Sequence, residues 1–312
     1  MLKTPYSLLI VFSFICFNQL AIAQSGYPET QSGDTRKVRN ASSSPEWLAA
    51  VGRTLSQNSS KTMEQCSVSL LADNPHKDGV IVLGAGHCID HWAAASGGFE
   101  VGKHSVNFIT NTGKTIVRQL DQILKAETHQ GDYFIGKLDR AIANSDIQPL
   151  LPSPYHYSDL VKFPYKTAAY IAGYSADKGI GQQGKVLTYG DCNRLAGGAS
   201  GMKKAHGCYS YSGASGGPIV ATIDFSNNEP QLNPYIAMGC GKEACKNEWE
   251  DFSDEEIFVD FFQFDYPWMK RAEYTFWFGI IVGARAGDDA SKTLFTEASH
   301  FTRTLDKILA TH

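Results

Sequence analysis

The chain is 312 residues long, 43% hydrophobic and 19% charged, with 28 basic against 32 acidic side chains and a formal net charge of −4. A balance so near neutral gives no electrostatic ground for binding nucleic acid or an anionic membrane surface. No run reaches the roughly 20 apolar residues a transmembrane helix needs, so no helical membrane span is expected.

In chain order, residues 1–23 read as a signal peptide: Lys3, an apolar run at 8–15, then Ala21-Ile22-Ala23 ahead of Gln24. The expectation is a soluble exported protein, secreted or periplasmic. Residues 24–45 are rich in Ser, Gly, Asn and Thr, with Arg36, Lys37 and Arg39 and no apolar periodicity, and are expected to be disordered or a short pro-segment. The core is expected to begin with WLAAVGR at 47–53. Next comes CSVSLL at 66–71, which partly alternates apolar and polar as a half-buried strand does, and then a buried strand in the apolar run 80–83. Short strands recur at 101–109, 115–120, 133–138, 168–174, 184–188 and 218–223, separated by turn-forming residues, the pattern of an all-β sandwich or barrel. At the end, Phe301, Leu305, Ile308 and Leu309 fall at helical spacing, with Ser299 placed to cap a helix over 299–310 that docks on the body.

Three motifs carry chemistry. Gly213-Ala214-Ser215-Gly216-Gly217-Pro218 places a serine between glycines, on a turn that can present its hydroxyl and neighbouring N–H groups to a carbonyl. Ala85-Gly86-His87-Cys88 follows the buried run and offers a base, since imidazole with an unperturbed pKa near 6.5 can take a serine proton and return it to a leaving group. Asp132 heads the mostly apolar segment 132–138, where a lone carboxylate needs a partner to offset its desolvation, and His87 is the candidate. His91, His104, His129, His156 and His300 have no motif around them and are expected to be surface or packed histidines. Asn40-Ala41-Ser42 and Asn58-Ser59-Ser60 match the glycosylation triplet, which matters only in a eukaryotic secretory pathway.

Of seven cysteines, Cys16 leaves with the signal, and the remaining six in an exported chain suggest three disulfides with fifteen possible pairings. Zinc is the competing reading, encouraged by His206-Gly207-Cys208 and by Cys240 and Cys245, but paired short ligand spacings are absent. No metal and no cofactor are expected.

With GAGHC, DYFIGKL and GASGGP in that order, separated by 45 and 83 residues, the chain resembles the trypsin/chymotrypsin-like serine peptidases from about residue 46 to the C-terminus. The resemblance implies two antiparallel six-stranded β-barrels and a C-terminal α-helix, the first barrel over 46–160 and the second over 161–312, with the site in the cleft between them. It implies a triad of His87, Asp132 and Ser215, an oxyanion hole from the N–H groups of Gly213 and Ser215, and bridges Cys66 to Cys88, Cys192 to Cys208 and Cys240 to Cys245. Three departures stand out. Ala214 occupies the place where activated digestive members carry an aspartate that binds a freed N-terminus, so that switch cannot operate. Tyr209 stands six positions before the serine, where enzymes cutting after Arg or Lys usually place an aspartate. Residues 221–278 exceed the family loop and hold an acidic stretch followed by aromatics, read as a solvated loop and packed rings, the alternative being an exosite for a basic or aromatic macromolecular substrate. Of two segments that compete to line the specificity pocket, 278–284 is preferred over 235–239, which puts Val282, Gly283 and Ala284 there beside Tyr209. The expectation is a secreted serine endopeptidase acting on protein or peptide substrates through an acyl-enzyme, without preference for Arg or Lys, and assumed monomeric. The alternative is a non-catalytic trypsin-like domain that binds proteins.

Overall fold

The computed structural model describes residues 27–57, 63–89, 104–127, 131–153, 167–196, 202–224, 273–283, 290–298 and 302–312. A two-residue strand, β1 (Lys37–Val38), precedes a 3-10 turn at Glu46–Ala50, so the core opens with a turn rather than a strand. Six strands follow: β2 (Val51–Gln57), β3 (Met63–Leu71), β4 (Gly79–Gly84), β5 (Ser105–Ile109), β6 (Thr115–Glu127) and β7 (Tyr133–Ile142). They pair antiparallel in the order β2-β3-β4-β7-β6-β5, and β5 returns to β2, which closes a barrel and leaves no free edge. In β5, Val106 and Phe108 point inward between half-buried neighbours, the period-2 pattern of a strand with one wet face.

Strand β3 departs from that pattern. Residues 66–71, expected to be half-buried, are buried throughout. Cys66, Val68 and Leu70 face the barrel core, while Ser67 and Ser69 have no exposed surface because the second half of the molecule covers them.

The second unit begins after a short strand, β8 (Leu151–Pro152), and comprises β9 (Thr167–Gly173), β10 (Thr188–Cys192), β11 (Arg194–Ala196), β12 (Met202–His206), β13 (Pro218–Asp224), β14 (Glu273–Gly283) and β15 (Lys292–Glu297). Its path runs β1-β10-β9-β13-β14-β15-β12-β11, with β8 parallel to β14. Strands β10 and β11 are separated by Asn193 alone, yet one pairs with β9 and the other with β12. A single run of chain therefore serves both ends of the path, and the sheet curls into a second, half-closed barrel, whereas six closed strands were expected. The strand expected at 184–188 starts only at Thr188, because Gln182–Gly184 forms a 3-10 turn.

Strand β14 joins the two cores. Phe276 and Phe278 lie in the second, with Ile171, Ile219 and Phe295, whereas Trp277 and Ile280 lie in the first. A bulge at Phe278, between the pairs Val220–Trp277 and Ile219–Gly279, re-phases the strand before it reaches the serine turn. Asp224 pairs with Glu273. The long insertion expected over 221–278 is thereby narrowed to 225–272, since its ends are strand residues side by side in the sheet. Such an insertion leaves the barrel ladder intact. The helix Thr302–Thr311 buries Leu305 and Leu309 in the first core, worth about 2 kcal/mol each in apolar transfer. Ser299 and Phe301, placed at its start by the sequence reading, lie outside the described residues, as do residues 1–26.

Residues 27–45 are tied down rather than disordered. Strand β1 pairs with β10, and Arg36, 6% exposed, is buried between Asp34 and Asp177. Composition suggested disorder because apolar residues are few, but here charge pairing and backbone pairing supply the order. Burial opposes ionisation of Asp177, yet hydrogen bonds from Thr30, the Gly181 N–H and Arg36 outweigh it and hold the carboxyl below its ordinary pKa. A depressed pKa stabilises the fold above the unfolded carboxylate value of about 4, and the contribution is lost as pH falls below it. Asp177→Asn should therefore lower the urea unfolding midpoint most near neutral pH, with the gap to wild type closing as pH drops below about 4; a gap independent of pH would contradict this assignment.

Candidate active site

His87 sits in a single helical turn at 86–89, immediately after β4. The turn is pinned by the Cys66–Cys88 disulfide, which ties it to β3 and closes a loop worth about 3 kcal/mol of chain entropy. Gly86 is required there: a side chain would collide with the Glu127 carbonyl and press on the Tyr133 N–H, the backbone flanking the segment that carries Asp132. Asp132 takes a left-handed conformation, φ 47°, which aspartate tolerates better than most residues. Both its oxygens engage His87: Oδ1 accepts the backbone N–H at 2.7 Å and Oδ2 lies 2.8 Å from Nδ1. This double attachment fixes the position and rotation of the imidazole and makes Nε2 the nitrogen for proton exchange. The side chains of His87 and Asp132 remain 31% and 19% exposed, so the pair is reachable from outside. The sulfurs of Cys66 and Cys88 lie close to the imidazole, but they are bonded to each other and offer no thiolate to a metal.

Ser215 lies on the turn 211–217, between β12 and β13. Gly213 and Gly216 adopt φ +91° and +84°, and Gly216 faces Ser67, Gly84 and Ala85 with no room for a Cβ. That contact places the serine turn against the two residues preceding Gly86-His87. Within the turn, Ala214 N–H donates to the Tyr211 carbonyl (3.0 Å), Gly217 N–H to Ala214 (2.9 Å) and Gly216 N–H to Ile281 (2.6 Å). Among the described residues, the N–H groups of Gly213 and Ser215 have no protein acceptor. Two donors flanking a nucleophile and left unused by the fold are what a developing oxyanion needs.

A residue outside all three motifs holds this turn. Ser67 on β3 donates its N–H to the Ser215 carbonyl (2.8 Å) and its hydroxyl to the Gly213 carbonyl (2.9 Å), and the same hydroxyl accepts the Tyr174 N–H (2.9 Å). Its only sequence signal is a serine beside a disulfide cysteine, indistinguishable from the solvent-facing position of an alternating strand. Tyr174, next to it, has its phenol pushed up to about 12, burial outweighing the opposing pull of Arg39 and Arg53, so it stays protonated near neutrality.

The other expected residues separate. Gly283, φ +127°, projects toward the serine: a Cβ there would stand 4.0 Å from Ser215 Oγ. Val282 packs on the first core. Tyr209 borders the same small void as Arg36 and Ala214, its hydroxyl near Gly33, which places it beside the N-terminal segment. Ala284 and the competing segment 235–239 lie outside the described residues. Cys192–Cys208 forms the second disulfide, where β10 passes into β11, while Cys240 and Cys245 lie outside. His104 is packed, 4% exposed; His91, His129, His156 and His300 lie outside.

No family model and no curated protein matches the sequence. Among solved structures, the scabies mite inactivated protease paralogue S-D1 is similar, with a TM-score of 0.52 and 12% identity over 89% of this chain and 97% of that one. The fold is trypsin-like. In this trypsin-like fold the two barrels, the terminal helix and the two disulfides take the arrangement that the motif resemblance implied. Among the described residues no helix is long and apolar enough to cross a membrane.

Ser67→Ala would leave the Gly213 carbonyl and the Tyr174 N–H unpaired in a dry seam, at a cost of about 1–3 kcal/mol for each unsatisfied group. Chemical denaturation should show a loss of about 2–6 kcal/mol for the two groups together; a change under about 0.5 kcal/mol, the scale of an ordinary surface substitution, would show that the hydroxyl does not hold the turn.

Proposed function

We propose that the protein is a secreted serine endopeptidase working through His87, Asp132 and Ser215. The observation that carries this reading is the doubly bonded His87–Asp132 pair beside a serine turn whose two flanking N–H groups are unused. In the reaction, Ser215 Oγ attacks the scissile carbonyl as His87 takes its proton, and the oxyanion is held by the Gly213 and Ser215 N–H groups. The intermediate collapses to an acyl-enzyme as His87 returns the proton to the leaving amine. Water, deprotonated in turn by His87, then releases the acid and frees Ser215. Asp132 keeps the tautomer and stabilises the imidazolium without itself taking the proton.

Gly283, which ends β14 facing Ser215, marks the strand end over which the residue before the cut would lie. Tyr209 lies beside the N-terminal segment and carries no carboxylate, so it gives a cationic side chain no partner. Export is supported by the signal-like residues 1–23 and the two disulfides. The similar mite protein is named as inactivated, which keeps a protein-binding role as the second reading, but His87, Asp132 and Ser215 are all present in this chain.

A fluorophosphonate probe should label Ser215 alone, as located by mass spectrometry, and Ser215→Ala should abolish both labelling and hydrolysis. Asp132→Asn should lower kcat by about 10⁴-fold, the cost this change carries when it strands the wrong tautomer. A folded sample that resists the probe would favour the binding module, and selective turnover of Arg or Lys amides would overturn the pocket assignment.

A further inference from the structure

The N-terminal segment makes more attachments than a tether needs, and one of them reaches the serine turn through Tyr211. Lys178 N–H donates to the Pro28 carbonyl (2.9 Å), Ile180 N–H to the Thr30 hydroxyl (3.1 Å), Gln31 N–H to the Tyr211 hydroxyl (2.8 Å) and Ala290 N–H to Gln31 Oε1 (3.2 Å). At the centre, the side chain of Arg36 is only 1% exposed, and its Nη2 reaches Asp34 at 2.7 Å and Asp177 at 2.8 Å, both carboxylates being as deeply buried. Its Nη1 donates to Thr188, whose hydroxyl is in turn bonded to the Gly173 carbonyl. The guanidinium lies 4.4 Å from the centroid of the Tyr211 ring.

Tyr211 connects this cluster to the chemistry. Its hydroxyl accepts from Gln31 and donates to Asp34 (3.3 Å), its ring carries Arg36, and its carbonyl accepts the Ala214 N–H that shapes the turn. Arg36 and Ala214 also border one small void, so the turn rests against the cluster from inside the second barrel. Ala214 has no carboxylate with which to anchor itself. Burying three charges is costly and is a poor way to obtain stability alone, whereas a satisfied ionic cluster fixes geometry.

We propose that Arg36 is a positioning residue for the oxyanion hole: clamped by Asp34 and Asp177, it holds Tyr211, and through Tyr211 the peptide units of 213–215, so that the uncut N-terminal strap keeps the turn in working shape. The catalytic part of this inference rests on the peptidase reading; the structural part does not. Full-length Arg36→Met keeps the stem packing and removes the charge, Tyr211→Phe keeps the ring and removes the two hydroxyl bonds, and Arg36→Lys restores a cation. Two readouts apply to each variant, with a melting curve to define the folded fraction.

Amide hydrogen exchange over 211–217 should speed up in Arg36→Met and Tyr211→Phe while β2–β5 exchange as in wild type. The fluorophosphonate labelling rate and kcat should fall by about tenfold or more, up to the ceiling of about 10²–10³ that outright loss of a single oxyanion donor costs, with KM within about twofold and partial recovery in Arg36→Lys. Unchanged exchange over 211–217 in the folded Tyr211→Phe protein would overturn the proposal, whatever happens to Arg36→Met. A lowered melting temperature with wild-type labelling of the folded molecules would reduce the strap to a structural tie. If wild type itself is not labelled, the peptidase reading fails, and the exchange measurement still decides whether the strap sets the turn.

Discussion

The seam between β3 and the serine turn is the constraint on which the rest of the molecule depends. Ser67 and Ser69 are closed to solvent, and a buried hydroxyl or amide without a partner is expensive. The turn supplies the partners: the carbonyls of Gly213, Ser215 and Gly216 face the two serines. The two barrels thus meet through directional bonds at the point where their relative position matters most. The bond network admits one register, because displacing either barrel would strand several polar groups at once. Around it the packing is continuous, with Trp277 and Ile280 of the second barrel and Leu305 of the helix sharing the core of the first.

This seam explains how residues from two barrels can work together. His87 and Asp132 are locked to each other within the first barrel by two hydrogen bonds, a disulfide and the close approach that Gly86 allows. Ser215 arrives on a turn from the second. Backbone conformations uncommon in ordinary sequence gather here: left-handed Asp132, and Gly213 and Gly216 on either side of Ser215. Such geometry persists where surrounding contacts over-determine it. The insertion at 225–272 leaves from strand ends that pair with each other, so the barrel carries it without loosening the turn.

The second barrel brings its own constraint to the same turn. The Asp34–Arg36–Asp177 cluster places one guanidinium between two carboxylates with almost no solvent access, and Thr30, Gly181 and Thr188 complete its hydrogen bonds. The turn is therefore gripped on one side by hydroxyls of β3 and on the other by a charged strap, with Ala214 between them.

What could be read from the chain was local. The signal-like start, the strand pattern from 105 to 138, the terminal helix and the order of His87, Asp132 and Ser215 follow from hydrophobic periodicity and from residue types whose chemistry is scarce elsewhere. The pairings Cys66–Cys88 and Cys192–Cys208 and the two-barrel architecture came from the motif resemblance, since spacing alone left fifteen pairings open. Several features were decided only in three dimensions. The even positions of β3 and its odd ones carry the same apolar–polar alternation as a solvent-facing strand, and only the arrival of a second barrel turns Ser67 from a surface residue into a support for the serine turn. Residues 24–45 look unable to fold because periodicity registers apolar faces, whereas Arg36 is buried by carboxylates 2 and 141 residues away. A pattern along the chain reports which side chains prefer to leave water; which polar groups then find each other depends on long-range contacts that no local pattern encodes.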